Sequence, residues 1–250
     1  MTIPRSFLIG VRHRRRPTID DYNWWVSSFA KIGQPAAVCD HLTAGVGGSR
    51  ENVVDILEPL NDRASLEITG FNAKSQMFWT GRTFFLKADR LNMDVASVEP
   101  DFQGKGLGRQ LAANCFCLAG SMDLKQVTVT TIGRGNYVWA RAGFLPSLKW
   151  WIKLRKKVKA YLPKIEGVNA DQADLIDTIL ADGEVKGVWA LADFEGPVRV
   201  PTPEGLQEVS LGSALLYHSD ASWHGTIELA EPHADAEQLE RFRNYVRFWG

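Results

Sequence analysis

The strand-to-helix handover at Val98-Glu99-Pro100-Asp101-Phe102-Gln103-Gly104-Lys105-Gly106-Leu107-Gly108-Arg109 restricts the fold more than any other stretch of this 250-residue chain. A strand that runs into Pro100 has to stop pairing there, because proline has no N–H to give a neighbouring strand. Glycines at 104, 106 and 108 let the backbone turn sharply and come close to a ligand. Leu107, Leu111, Cys115 and Leu118 then recur at helical spacing, which predicts a helix over Gly106 to Met122. The amides of a helix's first turn, with the helix dipole, favour an anion, and Lys105 and Arg109 add positive charge beside it. Two common phosphate loops are excluded. The glycine order and the meander before it do not fit a Rossmann turn, and no Lys-Ser/Thr closes a Walker loop.

The surroundings set the fold class. Ser65 to Phe71, Thr83 to Ala88 and Leu91 to Val98 read as strands joined by short polar connections, hence an antiparallel β-meander. Gln126 to Ile132 is β-branched and reads as a buried strand. Tyr137 to Ala142 reads as a short helix closed by Gly143 at the place of a C-cap glycine. The order β-β-β-α-β-α is thus legible from 65 to 143, an α/β (α+β mixed sheet) arrangement. Before it, Ile19 to Ile32 reads as an amphipathic helix with Asp20 or Asp21 as N-cap. Gly45 to Ser49 reads as a flexible connector, and Glu51 to Leu60 as a short helix.

The segment Gln103-x-x-Gly106-x-Gly108 after Val98-x-Pro100 resembles the acyl-CoA signature of the GNAT superfamily of N-acetyltransferases. Trp139-Ala140-Arg141-Ala142-Gly143-Phe144 is similar to that family's second signature, a short helix ending in Gly-Phe. The resemblance covers about residues 65–146. It implies a helical N-terminal part (1–64), an acyl-CoA-binding core (65–146) and a large C-terminal extension (147–250) that completes the sheet and the acceptor side. It also implies acetyl-CoA, or another acyl-CoA, as donor, and an amine acceptor, small molecule or protein. The backbone of Ala96, Ser97 and Val98 is expected to pair with the pantetheine arm. Around Gln103, the amides of Gly104, Lys105, Gly106, Leu107, Gly108 and Arg109 are expected to hold the pyrophosphate. The strand at 126–132 is expected to splay away from the strand at 91–98.

Three residues are candidates for proton transfer. The family's leaving-group tyrosine corresponds to Trp139, which has no suitable acid, and Tyr137, two residues earlier, turns to a different side of the helix. The thiolate leaves readily near neutral pH, so the base matters more. Asp94 shares a strand face with Ala96 and Val98 by simple alternation. His224 lies at a strand end that the resemblance places on the acceptor side. The cluster His218-Ser219-Asp220-Ala221-Ser222-Trp223-His224 lacks a nucleophile elbow, and triad members normally come from separate elements. An acyl-CoA-binding regulatory module without strong catalysis is the alternative function.

Charge is uneven although the net is zero. Residues 1–165 carry 24 Lys/Arg against 13 Asp/Glu, and residues 166–250 carry 5 against 16. Trp150, Leu154, Val158 and Leu162 recur every four residues among Lys153, Arg155, Lys156, Lys157 and Lys159. This basic amphipathic helix over 150–162 is a candidate docking face for an anionic partner, or a helix packed on the core with a solvated basic side. Asp174 to Leu180 suggests a helix, Gly187 to Ala192 a helix or strand, and Ala214–Tyr217 and Gly225–Leu229 strands. Cys39, Cys115 and Cys117 cannot pair completely and fit buried thiols in a reducing compartment. No run approaches the ~20 apolar residues of a membrane span, and the basic run at 12–16 follows the first apolar run instead of preceding it. A cytoplasmic protein is expected.

Overall fold

The computed structural model describes residues 2–57, 62–73 and 75–247. The chain forms two compact units. One comprises Met1–Thr128, Glu228–Ala234 and Val246–Gly250; the other comprises Val129–Ile227 and Asp235–Tyr245.

The first unit opens with α1 (Arg5–Leu8), β1 (Arg12–His13), α2 (Ile19–Ser28) and α3 (Pro35–Leu42). Helix α2 is capped two to three residues earlier than expected. Thr18 is the N-cap, and it forms a reciprocal capping box with Asp21. Four antiparallel strands follow: β2 (Ser49–Ile56), β3 (Arg63–Asn72), β4 (Ser75–Phe85) and β5 (Arg90–Val98). The meander is present with one strand more than expected, and the strand expected at Thr83–Ala88 runs instead over Ser75–Phe85, with Leu86–Ala88 a 3-10 turn. The run from Glu51 is β2, not a helix: it pairs residue by residue with β3 from Ser49↔Phe71 to Ile56↔Ala64. Residues 58–60 of that expected helix lie outside the described residues. Strand β1 adds to β2 in parallel, so the sheet is mixed, in the order β1-β2-β3-β4-β5 with β6 (Gln126–Thr130) beside β5.

Alternation explains the core. Ala64, Leu66 and Ile68 of β3 are buried on every second residue, as a half-covered sheet requires. Helix α4 (Leu107–Ser121) buries Leu111, Cys115 and Leu118, and Trp25 stacks on Phe29 at 4.0 Å. Burying each such side chain contributes roughly 1.5–3 kcal/mol. Two of the three thiols are buried as expected, and Cys117 is not: it lies on the exposed side of α4. Burial pushes Cys39 up to about 12 and Cys115 up to about 11.

The second unit contains α5 (Gly135–Arg141), β7 (Leu145–Pro146), α6 (Leu148–Tyr161), α7 (Ala170–Ala181), α8 (Gly187–Ala192), the hairpin β8 (Pro197–Thr202) and β9 (Gly205–Ser210), α9 (Leu211–Ser213), β10 (His224–Glu228) and α10 (Ala236–Arg247). The end of β6 lies beside β10, and β10 pairs antiparallel with β7. The run Ala214–His218 is a π-helical turn and not a strand. Phe144, Trp151, Trp189 and Trp223 form much of the buried interior. The Gly-Phe corner after α5 is tightly built. Gly143 has φ +95°, and a Cβ there would lie 2.9 Å from Gln238 O. Gln238 Nε2 in turn donates to Gly143 O (3.0 Å) and Thr226 O (2.8 Å).

No described helix is long and apolar enough to cross a membrane.

Candidate functional site

The loop between β5 and α4 has the geometry of an anion cradle. After Val98 the chain makes one 3-10 turn at Pro100–Phe102 and reaches Gly104 and Gly106 with φ of +74° and +79°. Only glycine adopts that backbone without strain. The side chain of Gln103 turns back and donates from Nε2 to Val98 O at 2.8 Å, tying the loop to the strand end. Lys105 Nζ donates to Asp101 O at 2.8 Å and lies 5.3 Å from the Phe102 ring centroid. Gly106 is the N-cap of α4, so no side chain caps the helix, and its first turn holds no acidic residue. The amides of Leu107 and Gly108 therefore have no side-chain oxygen at the cap to satisfy them. A Cβ at Gly104 would meet nothing within 4 Å, and one at Gly108 would only reach Val98 Cγ2 at 4.0 Å.

A cleft of about 480 Å³ opens at this end of α4, walled by Phe102, Lys105, Gly106 and Leu107 on one side and by Gly45–Gly48 on the other. The glycine stretch is thus more than a connector. The segment leading into it is fastened to α4 by Asn114, whose Nδ2 donates to Ala44 O (2.9 Å) and Leu42 O (3.3 Å), and by Gln110, whose Nε2 donates to Ala44 O (3.3 Å). Gly48 has φ +95°, and a Cβ there would collide with Phe71 O. Part of the signal for this wall was available in the sequence. Asn114 is a polar residue among the apolar inner positions of α4, which marks a buried contact but not its distant partner.

Asp94 is displaced from its expected face. The pairing of β4 with β5 slips between Gly81↔Val95 and Arg82↔Met93, leaving Asp94 as the extra residue of a β-bulge. Its carboxylate accepts from Thr83 Oγ1 at 2.7 Å and from Asn92. A Cβ on Gly81 would meet Val95 Cγ1 at 3.1 Å and Asp94 Cβ at 3.7 Å, so Asp94 and Val95 both lie on the Gly81 side. Ala96 and Val98, opposite Thr80 and Phe78, occupy the other face. The bulge breaks the alternation that put Asp94 with them.

In the second unit, Tyr137 is half-buried on α5 and its hydroxyl accepts from Arg141 Nη1 at 3.2 Å. Trp139 turns to another side and packs edge-on against Phe144 at 5.4 Å. His224, at the start of β10, is exposed. Its Nδ1 lies 3.0 Å from Thr130 Oγ1, and its ring is 4.6 Å from that of Trp150. The next threonine holds the residue before His224: Thr131 Oγ1 accepts from Trp223 N at 3.0 Å and donates to Asn136 Oδ1 at 2.6 Å. His218 is half-buried beside Tyr217; burial, then the positive charge of Arg134, lowers its pKa. Among the described residues no group of three His, Cys, Asp or Glu could hold a metal ion.

The basic helix α6 buries Leu154 and Val158 of the expected stripe, but Trp151 takes the place of Trp150, and Leu162 falls beyond the helix end. Strict four-residue spacing drifts around a helix of 3.6 residues per turn, whereas 151, 154 and 158 stay on one face. Two of its cations are engaged internally. Arg155 Nη1 donates to Leu180 O (2.9 Å) and Asp182 O (2.6 Å) at the end of α7, and Lys157 Nζ donates to Asp220 O (2.6 Å). Lys153, Lys156 and Lys159 remain exposed.

No protein-family profile matches the chain, and no curated protein matches it. Among solved structures, the crystal structure of nourseothricin acetyltransferase is similar at 16% identity with a TM-score of 0.30. The alignment covers 34% of this chain and 51% of that one, about half its length. At that score the likeness carries neither fold nor function.

Proposed function

We propose that this chain is an N-acyltransferase that moves an acetyl or other acyl group from acyl-CoA to an amine. One observation carries the reading. The Gln-x-x-Gly-x-Gly turn presents two left-handed glycines and an uncapped helix N-terminus at a cleft, with its glutamine bonded to the carbonyl that ends the preceding strand. In this reading the amides of Gly104 through Arg109 hold the pyrophosphate, and the backbone of Ala96, Ser97 and Val98 pairs with the pantetheine arm as an added strand would. The acceptor loses a proton to a base and its nitrogen attacks the thioester carbon; the N–C bond forms as charge moves onto the thioester oxygen, and the C–S bond breaks as that charge returns. The electron pair leaves on sulfur as thiolate, which needs little help from an acid near neutral pH.

Asp94 and His224 are the candidate bases, and Tyr137 the candidate acid. Asp94 is engaged by Thr83 and Asn92, and Tyr137 by Arg141, whereas the orientation of His224 by Thr130 suits a base whose Nε2 takes the proton. A second reading, an acyl-CoA-binding module without turnover, is favoured by Trp139 at the usual tyrosine position together with the engaged hydroxyl of Tyr137.

The test is thiol release from acetyl-CoA across a panel of amines, run beside a binding titration. Release with at least one amine is expected. Binding without release from any amine favours the module, and no binding at all overturns both readings.

A further inference from the structure

Arg82 sits where stability alone disfavours it. It lies within β4 at 2% exposure, its Nε has no partner, and among the described residues it forms no ion pair with a carboxylate. Its Nη1 donates instead to two backbone carbonyls, Gly81 O and Val95 O, both at 2.7 Å. A buried guanidinium without a carboxylate is generally less stabilising than an apolar side chain of similar volume. Its position at the bulge offers a reason for its presence.

Val95 faces Gly81 where the register slips. Its carbonyl accepts from two β4 side chains at once, Arg82 Nη1 at 2.7 Å and Thr80 Oγ1 at 2.9 Å. The peptide joining Val95 to Ala96 is trans and planar, so the N–H of Ala96 points away from β4. Donors on a carbonyl, one of them charged, polarise the whole peptide and strengthen the donor at its other end. That donor belongs to the strand segment assigned above to the acyl donor.

We infer that Arg82, assisted by Thr80, polarises the Val95–Ala96 peptide so that the Ala96 N–H holds the thioester oxygen of the acyl donor while negative charge develops there. Charge appears on that oxygen as the amine adds and leaves it when the C–S bond breaks, so a stronger donor lowers the barrier more than it tightens ground-state binding. Arg82 is a positioning residue, since it acts through the peptide and not by contact. The inference rests on the acyl-transfer reading.

The experiment compares wild type with Arg82→Met and Arg82→Lys in turnover, in acetyl-CoA affinity and in the amide proton shift of Ala96 with acetyl-CoA or CoA bound. The expected result for Arg82→Met is an unchanged or raised Tm, affinity within about threefold, and kcat lower by about 10–100-fold, part of which Arg82→Lys recovers. In wild type the Ala96 proton should move downfield with acetyl-CoA more than with CoA, which lacks the carbonyl, and that difference should vanish in Arg82→Met. If wild type binds without turnover, this shift decides: its loss in the variant supports the inference and its absence in wild type overturns it. Arg82→Met turning over like wild type overturns the inference alone. So does a parallel loss of Tm, affinity and kcat that Arg82→Lys fails to relieve. Wild type that does not bind acetyl-CoA overturns the acyl-transfer reading and the inference with it.

Discussion

At the scale of single residues, proton transfer separates the candidates. If His224 is the base, His224→Ala should lower kcat by about 10²–10⁴-fold at neutral pH, and part of the loss should return as pH rises and more of the amine is already neutral. Asp94→Asn should show that pattern only if Asp94 is the base, and its place on the far side of β5 from Ala96 argues against it. Tyr137→Phe should cost no more than about tenfold, or ~1.4 kcal/mol. An inactive Tyr137→Phe beside working Asp94 and His224 variants would reverse these roles. A stability test comes from Asp21, which is buried. Burial opposes its charge, but the Arg15 guanidinium at 2.7 Å and the Thr18 cap hold its pKa below the usual carboxylate value. Its contribution is therefore present above the unfolded pKa near ~3.9 and lost as pH falls through the folded value. Asp21→Asn should cost about 1–3 kcal/mol in urea titrations at neutral pH, and the gap to wild type should close in acid below that range.

At the scale of elements, α6 shows how charge can serve structure. Arg155→Ala should lower stability by about 1–2 kcal/mol, because its guanidinium satisfies the last carbonyls of α7, whereas Lys156→Ala should change it by less than ~0.5 kcal/mol. Equal effects in a denaturant titration would deny Arg155 that capping role. The elements legible in the sequence are those with strong local patterns: the strands at 65–71 and 91–98, helix α4, strand β6 and the Gly-Phe corner. Those misread depend on distant partners. Val53, Val54 and Ile56 carry no clear period, and pairing with β3 makes them a strand. Ala214–Tyr217 is a short apolar run that periodicity cannot tell from a buried turn of helix. The glycine turn before α4 was readable because glycine positions and helix start are local. Asp94 was misplaced because a bulge is set by two strands together, and the Gly45–Gly48 wall went unread because Asn114 fastens Ala44, which leads into it, from 70 residues away.

At the scale of the whole molecule, the chain passes between its two compact units four times, the first time inside β6. A fragment ending there would sever a strand, so affinity and turnover belong to the full-length chain. The residues proposed to hold the acyl donor, from Ala96 to Arg109, lie within the first unit, in the part of the sequence where Lys and Arg exceed Asp and Glu by 24 to 13. That excess suits a polyanionic ligand such as acyl-CoA. The central claim is that the backbone at the start of α4 holds the pyrophosphate of that ligand, and Gly108 probes it better than Gly106. Gly106 has φ +79° and any side chain strains it, whereas a Cβ at Gly108 meets nothing closer than Val98 Cγ2 at 4.0 Å. The direct measurement is a calorimetric titration of acetyl-CoA into full-length wild type and Gly108→Glu, with Tm recorded for both. Saturable binding by wild type, abolished in a variant of similar Tm, is the predicted result. Undiminished affinity in folded Gly108→Glu would contradict it.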